Sequence, residues 1–289
     1  MIFWRVLDDK LYAIDEVDKL GFETKEGLRI PDEYLNNQEF VILRTCHGIG
    51  DWGIIASLPR LLKAKYPNCK VYVPSKNLIK KLFNIEHDNA HVVFDNNPYV
   101  DDFVDSVSGE IFHDHYRIYD KNNTDVPLAK QMLKFWQFSD SEMEDYLPEM
   151  YWTDEEKKFG DKIIKEYVGD NDFGCLLMSD RFGTQSGKQD DEFYKKDTRV
   201  MIKVLKDYDI PFLYWTTVPI ADTPFDFINK KLDLRNIDLR IQLYIKSRAK
   251  VNVSNQCGTN HIVARYSECY ESQRQYPIEH NFIDNIKYI

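Results

Sequence analysis

With 289 residues, 43% of them hydrophobic and 14% aromatic, the chain is long enough for two domains with real cores, which excludes a disordered protein. Its net charge of −10 is the opposite of what a non-specific nucleic-acid binder needs, so no nucleic-acid partner is expected and an anionic ligand must find a local basic cluster. The five cysteines, Cys46, Cys69, Cys175, Cys257 and Cys269, are odd in number and lack CxxC spacing, which suits reduced thiols in a cytoplasm rather than a disulfide frame or a zinc site.

The first ten residues, MIFWRVLDDK, carry too short an apolar run for a signal peptide. No stretch nears the roughly 20 apolar residues of a membrane span, so a soluble, cytoplasmic protein is expected. Residues 1–39 read as an accessory segment in which Ile2 to Val6 and Leu11 to Ile14 form the two short strands of a hairpin.

Residues 40–67, FVILRTCHGIGDWGIIASLPRLLKAKYP, organise the rest of the chain. Phe40 to Leu43 has the continuous apolar character of a buried strand. Gly48 and Gly50 then make a tight turn, and Ile54, Ile55, Leu58, Leu61 and Leu62 recur at helical spacing until Tyr66. Pro59 falls in the first turn of that helix or at a slight kink. Glycines permit a sharp turn and close ligand approach, and the N–H groups of a helix start suit an anionic or polar ligand. Asp51 would repel a phosphate there. It suits a base that takes a proton from a hydroxyl, but the local pattern by itself favours a plain helix cap, a position where Asp is preferred. Gly-Ile-Gly-Asp lacks the third glycine of the dinucleotide fingerprint, which argues against NAD. Cys46 and His47 are adjacent on extended chain and point apart, so they do not form a catalytic pair.

From here to residue 150 strands and helices alternate, the pattern of a parallel sheet covered on both faces. Lys70 to Val73 reads as a strand, Asn77 to Phe83 as a helix and His91 to Phe94 as a strand. Asn97-Pro98-Tyr99-Val100-Asp101-Asp102 reads as a turn leading to Phe103 and Val104. Ile111 to Tyr119 reads as a further strand, and Val126 to Phe138 as a helix with Leu128, Met132, Leu133 and Trp136 on one face. His113, Asp114 and His115 place two histidines on one strand face, but no third metal ligand stands at a telling spacing. Residues 139–149, SDSEMEDYLPE, read as an acidic linker, which puts the boundary near residue 150 between domains at 40–150 and 151–275.

Thr153-Asp154-Glu155-Glu156 opens a helix with acidic residues in its first turn. Gly174 to Met178 and Phe212 to Trp215 read as strands, Val200 to Tyr208, Phe225 to Leu232 and Leu239 to Ile245 as helices, and Val251 to Ser254 as the last clear strand. The loop 179–199 gathers Arg181, Lys188, Lys195, Lys196 and Arg199 after a strand end, where ligands of open α/β sheets bind. Arg181 or Lys188 could neutralise a departing diphosphate, although Asp190, Asp191 and Glu192 make a merely solvated loop the competing reading. Asn255 to His261 is a second glycine turn entering a helix, the mirror of the first. Gly258 and Thr259 could seat a diphosphate with His261 beside it, or the turn could simply connect a strand to a helix. In the tail, residues 276–289, the spacing of Ile278, Phe282 and Ile286 suits packing back on the body.

Three of these stretches resemble glycosyltransferase family 9, the heptosyltransferase-like enzymes. Residues 40–67 are similar to its N-terminal strand, Gly-x-Gly-Asp turn and early-proline helix. Residues 97–101 are similar to its Asn-Pro-x-x-Asp segment, and residues 254–261, SNQCGTNH, to its Ser-Asn-Asp-Ser-Gly-Pro-x-His motif. Order and separation also agree, over about residues 40–270. The resemblance implies an α/β fold of GT-B class, two Rossmann-like domains with parallel sheets facing a central cleft. It implies transfer of a sugar from a nucleotide-sugar donor to a glycan or glycolipid acceptor, usually without metal or another cofactor, with peripheral membrane association through the acceptor. Asp51 matches the catalytic base, Gly48 and Gly50 its turn, and Gly258, Thr259 and His261 the donor-binding turn. Lys188 matches the basic residue near the donor phosphates, although the usual tryptophan-proline pair does not follow it, and Gln256 replaces the usual aspartate. The alternatives are a nucleotide-sugar epimerase of the same fold and a non-catalytic nucleotide-sugar or glycan-binding protein.

Overall fold

Residues Met1–Tyr151 build one α/β unit and Trp152–Ile289 a second. The computed structural model describes residues 3–7, 10–14, 32–44, 48–106, 111–114, 125–135, 137–178, 191–216, 231–232, 237–255, 258–272 and 281–289. Among them no helix is long and apolar enough to cross a membrane.

In the first unit, β1 (Phe3–Leu7) and β2 (Lys10–Ile14) form an antiparallel hairpin, in register from Phe3↔Ile14 to Leu7↔Lys10. A one-turn helix, α1 (Asp32–Leu35), precedes β3 (Glu39–Arg44). Phe40, Val41 and Ile42 are buried, as a strand covered on both faces requires. The chain continues through α2 (Ile49–Gly53), α3 (Leu58–Lys65), β4 (Lys70–Pro74), α4 (Lys76–Phe83), α5 (Asn89–Phe94), β5 (Asp102–Val104), β6 (Ile111–Asp114) and α6 (Leu128–Phe135). The sheet order is β2-β1-β6-β3-β4-β5. β6, β3, β4 and β5 run parallel, and the hairpin joins the edge through Trp4↔Ile111.

Three expectations are corrected here. The helix expected after the first glycine turn is two helices, α2 and α3. Between them the chain tightens to i→i+3 bonds, with the N–H groups of Ile55, Ala56 and Leu58 donating to the carbonyls of Trp52, Gly53 and Ile55. Pro59 has no N–H and its ring would strike the carbonyl of Ile55 in a continuous helix, so it sits in the first turn of α3 instead. The strand expected at His91 to Phe94 is α5, whose buried Ala90, Val93 and Phe94 follow helical spacing. Phe94 meets Trp52 of α2 edge-on, with ring centroids 6.1 Å apart. Residues 139–149, expected as a linker, pack on α3: Met143, Tyr146 and Glu149 are buried, and Arg60 donates to Glu149 Oε2 at 2.7 Å and to the carbonyl of Asp145 at 2.6 Å.

The segment 97–101 is a structural clamp. Asn97 Oδ1 accepts the N–H of Tyr99 at 2.9 Å, shaping the turn. Asp101 accepts from Lys63 at 2.6 Å, from the N–H of Val71 at 2.7 Å and from Lys70 at 3.1 Å, tying α3 to the start of β4. Partial burial pushes the Asp101 carboxyl upward, but these donors outweigh burial and hold it below the usual carboxylate range. A lowered folded pKa means the stabilisation is complete above the unfolded value, about 3.9, and is lost as pH falls through the folded one. Asp101→Asn is expected to lower stability by about 1–2 kcal/mol at neutral pH. Urea unfolding should show that deficit shrinking below about pH 4.

In the second unit, α7 (Asp154–Val168) is followed by β7 (Gly174–Met178), α8 (Asp191–Lys206), β8 (Phe212–Thr216), β9 (Lys231–Leu232) and α9 (Leu239–Arg248). β10 (Val251–Asn255), α10 (Gly258–Val263), β11 (Glu268–Ser272) and β12 (Ile286–Tyr288) complete it. All six strands run parallel in the order β12-β11-β10-β7-β8-β9. Alternate side chains build two cores. Cys175, Leu177, Leu213 and Trp215 pack under α7 and α9, while Leu176, Phe212, Tyr214, Val251 and Val253 pack under Met201, Val204 and Leu205 of α8. Gly160 lets α7 approach α9, since a Cβ there would lie 2.4 Å from the Tyr244 ring.

Three further expectations give way in this unit. Lys231 and Leu232, expected in a helix, pair with β8 as β9. Val251 to Ser254 is not the last strand, because β11 and β12 come after it. Lys195, Lys196 and Arg199, expected in a loop, are helical, because α8 begins at Asp191. Trp136, residues 115–119, residues 225–230 and Ile278 lie outside the described residues.

Candidate active site

Counted from β3, the parallel strands of the first sheet stand in the order 4-1-2-3; counted from β7, the second sheet reads 6-5-4-1-2-3. Both obey the doubly wound 3-2-1-4 order, in which the chain reverses direction between the first and fourth strands. In sheets of this order ligands bind outside the carboxyl ends of those two strands. The reversal lies between β3 and β6 in the first unit and between β7 and β10 in the second.

The first glycine turn comes after β3 at this point. Gly48 has φ −62° and ψ 153°, ordinary extended backbone that any residue adopts. Its N–H donates to Asp51 Oδ2 at 2.9 Å, and Asp51 N–H donates to the carbonyl of Gly48 at 3.0 Å. Asp51 therefore does cap α2. That bond occupies one carboxylate oxygen and fixes the carboxylate's orientation, while Oδ1 makes no hydrogen bond among the described residues. Gly50 is buried within α2, and Asp51 is half-buried. Beside this turn, β6 ends with His113 and Asp114 in register with Leu43 and Arg44. Cys46, His47 and His115 lie outside the described residues. Among the described residues no group of three His, Cys, Asp or Glu could hold a metal ion.

The second glycine turn, like the first, lies between a strand, β10, and a helix, α10. It comes after the fourth strand of its sheet, β10, rather than the first, and so stands on the other side of the reversal point. Gly258, Thr259 and His261 come together in α10, all six of whose residues are buried. Thr259 Oγ1 and Asn260 Oδ1 each accept from Lys246 Nζ at 2.8 Å. Asn260 Nδ2 donates to Ser254 Oγ at 2.8 Å and to the carbonyl of Tyr270 at 3.3 Å. His261 Nε2 lies 3.5 Å from Glu271 Oε2, and its ring stacks on Phe282 with centroids 5.0 Å apart. Neither nitrogen of that ring makes a hydrogen bond among the described residues.

Arg181 and Lys188, which come after β7, lie outside the described residues, as does Gln256. Sequence reasoning missed Lys246, Asn260 and Glu271. A lysine in the last turn of a helix reads as a solvated complement to the dipole. The signal that could have exposed it is the polar set Asn252, Ser254 and Asn260 in otherwise buried elements, which had to find partners. Among the described residues the three thiols are buried, and burial pushes Cys69 up to about 11 and Cys269 to about 12, and pushes Cys175 further in the same direction. At the opposite, amino ends of β7 and β10, an open cavity of about 480 Å³ is lined by Lys165, Arg248, Lys250, Asp161, Asp170 and Asp172.

No family model and no curated protein matches this chain in sequence. Among solved structures, the family 9 glycosyltransferase of Veillonella parvula DSM 2008 is similar at a TM-score of 0.57 and 8% identity, over 88% of this chain and 86% of that one. ADP-heptose lipopolysaccharide heptosyltransferase II of E. coli is similar at 0.46 and 11%, over 87% and 90%. The chain thus has the α/β fold, of GT-B class, that the family 9 structure has.

Proposed function

We propose that this chain is a glycosyltransferase that moves a sugar from a nucleotide-diphosphate sugar to a hydroxyl of a glycan or lipid-linked acceptor. The observation that carries the reading is the placement of both glycine turns at the chain-reversal points of sheets whose fold is that of a family 9 glycosyltransferase. In this reading Asp51 Oδ1 takes the acceptor proton as the acceptor oxygen attacks the anomeric carbon. The bond from that carbon to the diphosphate oxygen breaks. The charge on the departing nucleoside diphosphate falls on the N–H groups of Gly258 and Thr259, with His261 beside them, and on Arg181 and Lys188, which follow β7 in sequence. Protein donors, rather than a metal, carry the diphosphate.

A thermal-shift screen of nucleotide sugars tests this first. One nucleotide series is expected to raise the melting temperature by about 5 °C at a large excess over its dissociation constant. A panel flat across all bases would overturn the reading.

A further inference from the structure

Glu271 is a carboxylate at 0% exposure, in the penultimate position of β11. Strand register sets it level with Ser254 of β10, so both side chains lie on the face of the sheet that α10 covers. There Glu271 Oε2 lies 3.5 Å from His261 Nε2. A buried carboxylate is costly unless its neighbours compensate it, so the ring edge turned to Glu271 has a part in its setting.

The pair decides where the ring's proton sits. A neutral imidazole carries one N–H and one bare nitrogen. An N–H turned to a carboxylate is attracted and a lone pair is repelled, so the proton belongs on Nε2. Nδ1 is then the bare nitrogen and can only accept a hydrogen bond. His261 is 7% exposed, and Nδ1 has no hydrogen-bond partner among the described residues. The ring is also restrained, since it stacks on Phe282 with centroids 5.0 Å and planes 29° apart. A buried acceptor held this way suits a hydroxyl, which has a proton to give and brings no charge beside Glu271. It does not suit a phosphate oxygen, which also only accepts.

We propose that Glu271 is a positioning residue that fixes the tautomer of His261, and that His261 Nδ1 accepts a hydroxyl of the nucleotide sugar, from its ribose or from the transferred sugar. This rests on the donor-binding reading, and the test separates the two. Nitrogen-15 spectra of the full chain without nucleotide are expected to show the His261 proton on Nε2, and to lose that preference in Glu271→Met. A proton on Nδ1 in the unaltered chain overturns the inference, whatever binds. For the hydroxyl, ADP, GDP, UDP and CDP, their 2′- and 3′-deoxy forms and their hexose esters are titrated by calorimetry into the full chain and into Glu271→Met. The substitution is expected to weaken the forms that carry the recognised hydroxyl by about three- to tenfold. Weakening that disappears with one deoxyribose form assigns the ribose; weakening confined to the hexose esters assigns the transferred sugar. Equal weakening of every form, or none in the folded variant, overturns the role of Glu271 and leaves the donor reading standing. No binding of any nucleotide to the unaltered chain overturns the donor reading and the hydroxyl contact with it. Should Glu271→Met fail to fold, His261→Phe keeps an aromatic ring against Phe282 and is expected to lose the same hydroxyl-dependent affinity. Its full retention in that variant overturns the contact.

Discussion

Asp51→Asn is expected to lower sugar transfer by about 10²–10⁴-fold while leaving the fold and donor affinity intact. The substitution is chosen because Asp51 has two claims on it. Its Oδ2 caps α2 through the N–H of Gly48, and an asparagine oxygen can accept that same bond. What asparagine cannot do is take a proton. Asp51→Ala would remove both functions and cost about 1 kcal/mol of cap energy as well. The pair separates the roles: a cap alone predicts that Asn is active and Ala impaired, whereas a base predicts that both are inactive and only Ala is less stable. Release of nucleoside diphosphate in the presence of acceptor, read beside melting temperature, measures both quantities.

Glu156→Ala is expected to destabilise the second unit by about 3–5 kcal/mol. Glu156 Oε2 accepts the N–H of Thr153 at 2.6 Å, and Thr153 Oγ1 accepts the N–H of Glu156 at 3.1 Å, a reciprocal cap on α7. The same carboxylate receives Arg240 Nε at 2.5 Å and Nη2 at 3.2 Å. The Arg240 side chain is 8% exposed, so Glu156→Ala removes a carboxylate that compensates a buried guanidinium, which is where most of the loss arises. Burial pushes the Glu156 carboxyl upward, but Arg240 and Thr153 outweigh it and hold the group below its usual range. The contribution is therefore complete above the unfolded glutamate's pKa, about 4.3, and disappears as pH falls through the lower folded value. Urea unfolding at neutral and acid pH measures it. Glu156→Ala combined with Arg240→Met should recover part of the deficit, because the buried guanidinium is then removed along with the carboxylate that compensates it.

The strands at Phe40, Gly174 and Phe212 were legible because a strand covered on both faces writes a continuous apolar run into the sequence. The start of α7 was legible because its signal, Thr153 followed by the acidic first turn Asp154, Glu155 and Glu156, lies within four residues. α5 was not, because Val92, Val93 and Phe94 suggest a strand by residue type while Ala90, Val93 and Phe94 set a helical period. β11 and β12 escaped because ECYES and IKY are polar and short, and their strand state comes from pairing with β10 and with each other. Of the candidate site, Gly258, Thr259 and His261 were visible as a turn. Lys246 was not, because its link to Thr259 spans two elements and no local spacing encodes it.

The most direct test is a crystal structure of the chain with the nucleoside diphosphate that gives the largest thermal shift. The account predicts phosphate oxygens within about 3 Å of the Gly258 and Thr259 N–H groups, at the carboxyl ends of β7 and β10. A nucleotide lodged instead in the Lys165, Arg248 and Lys250 cavity at the amino ends of those strands would contradict it.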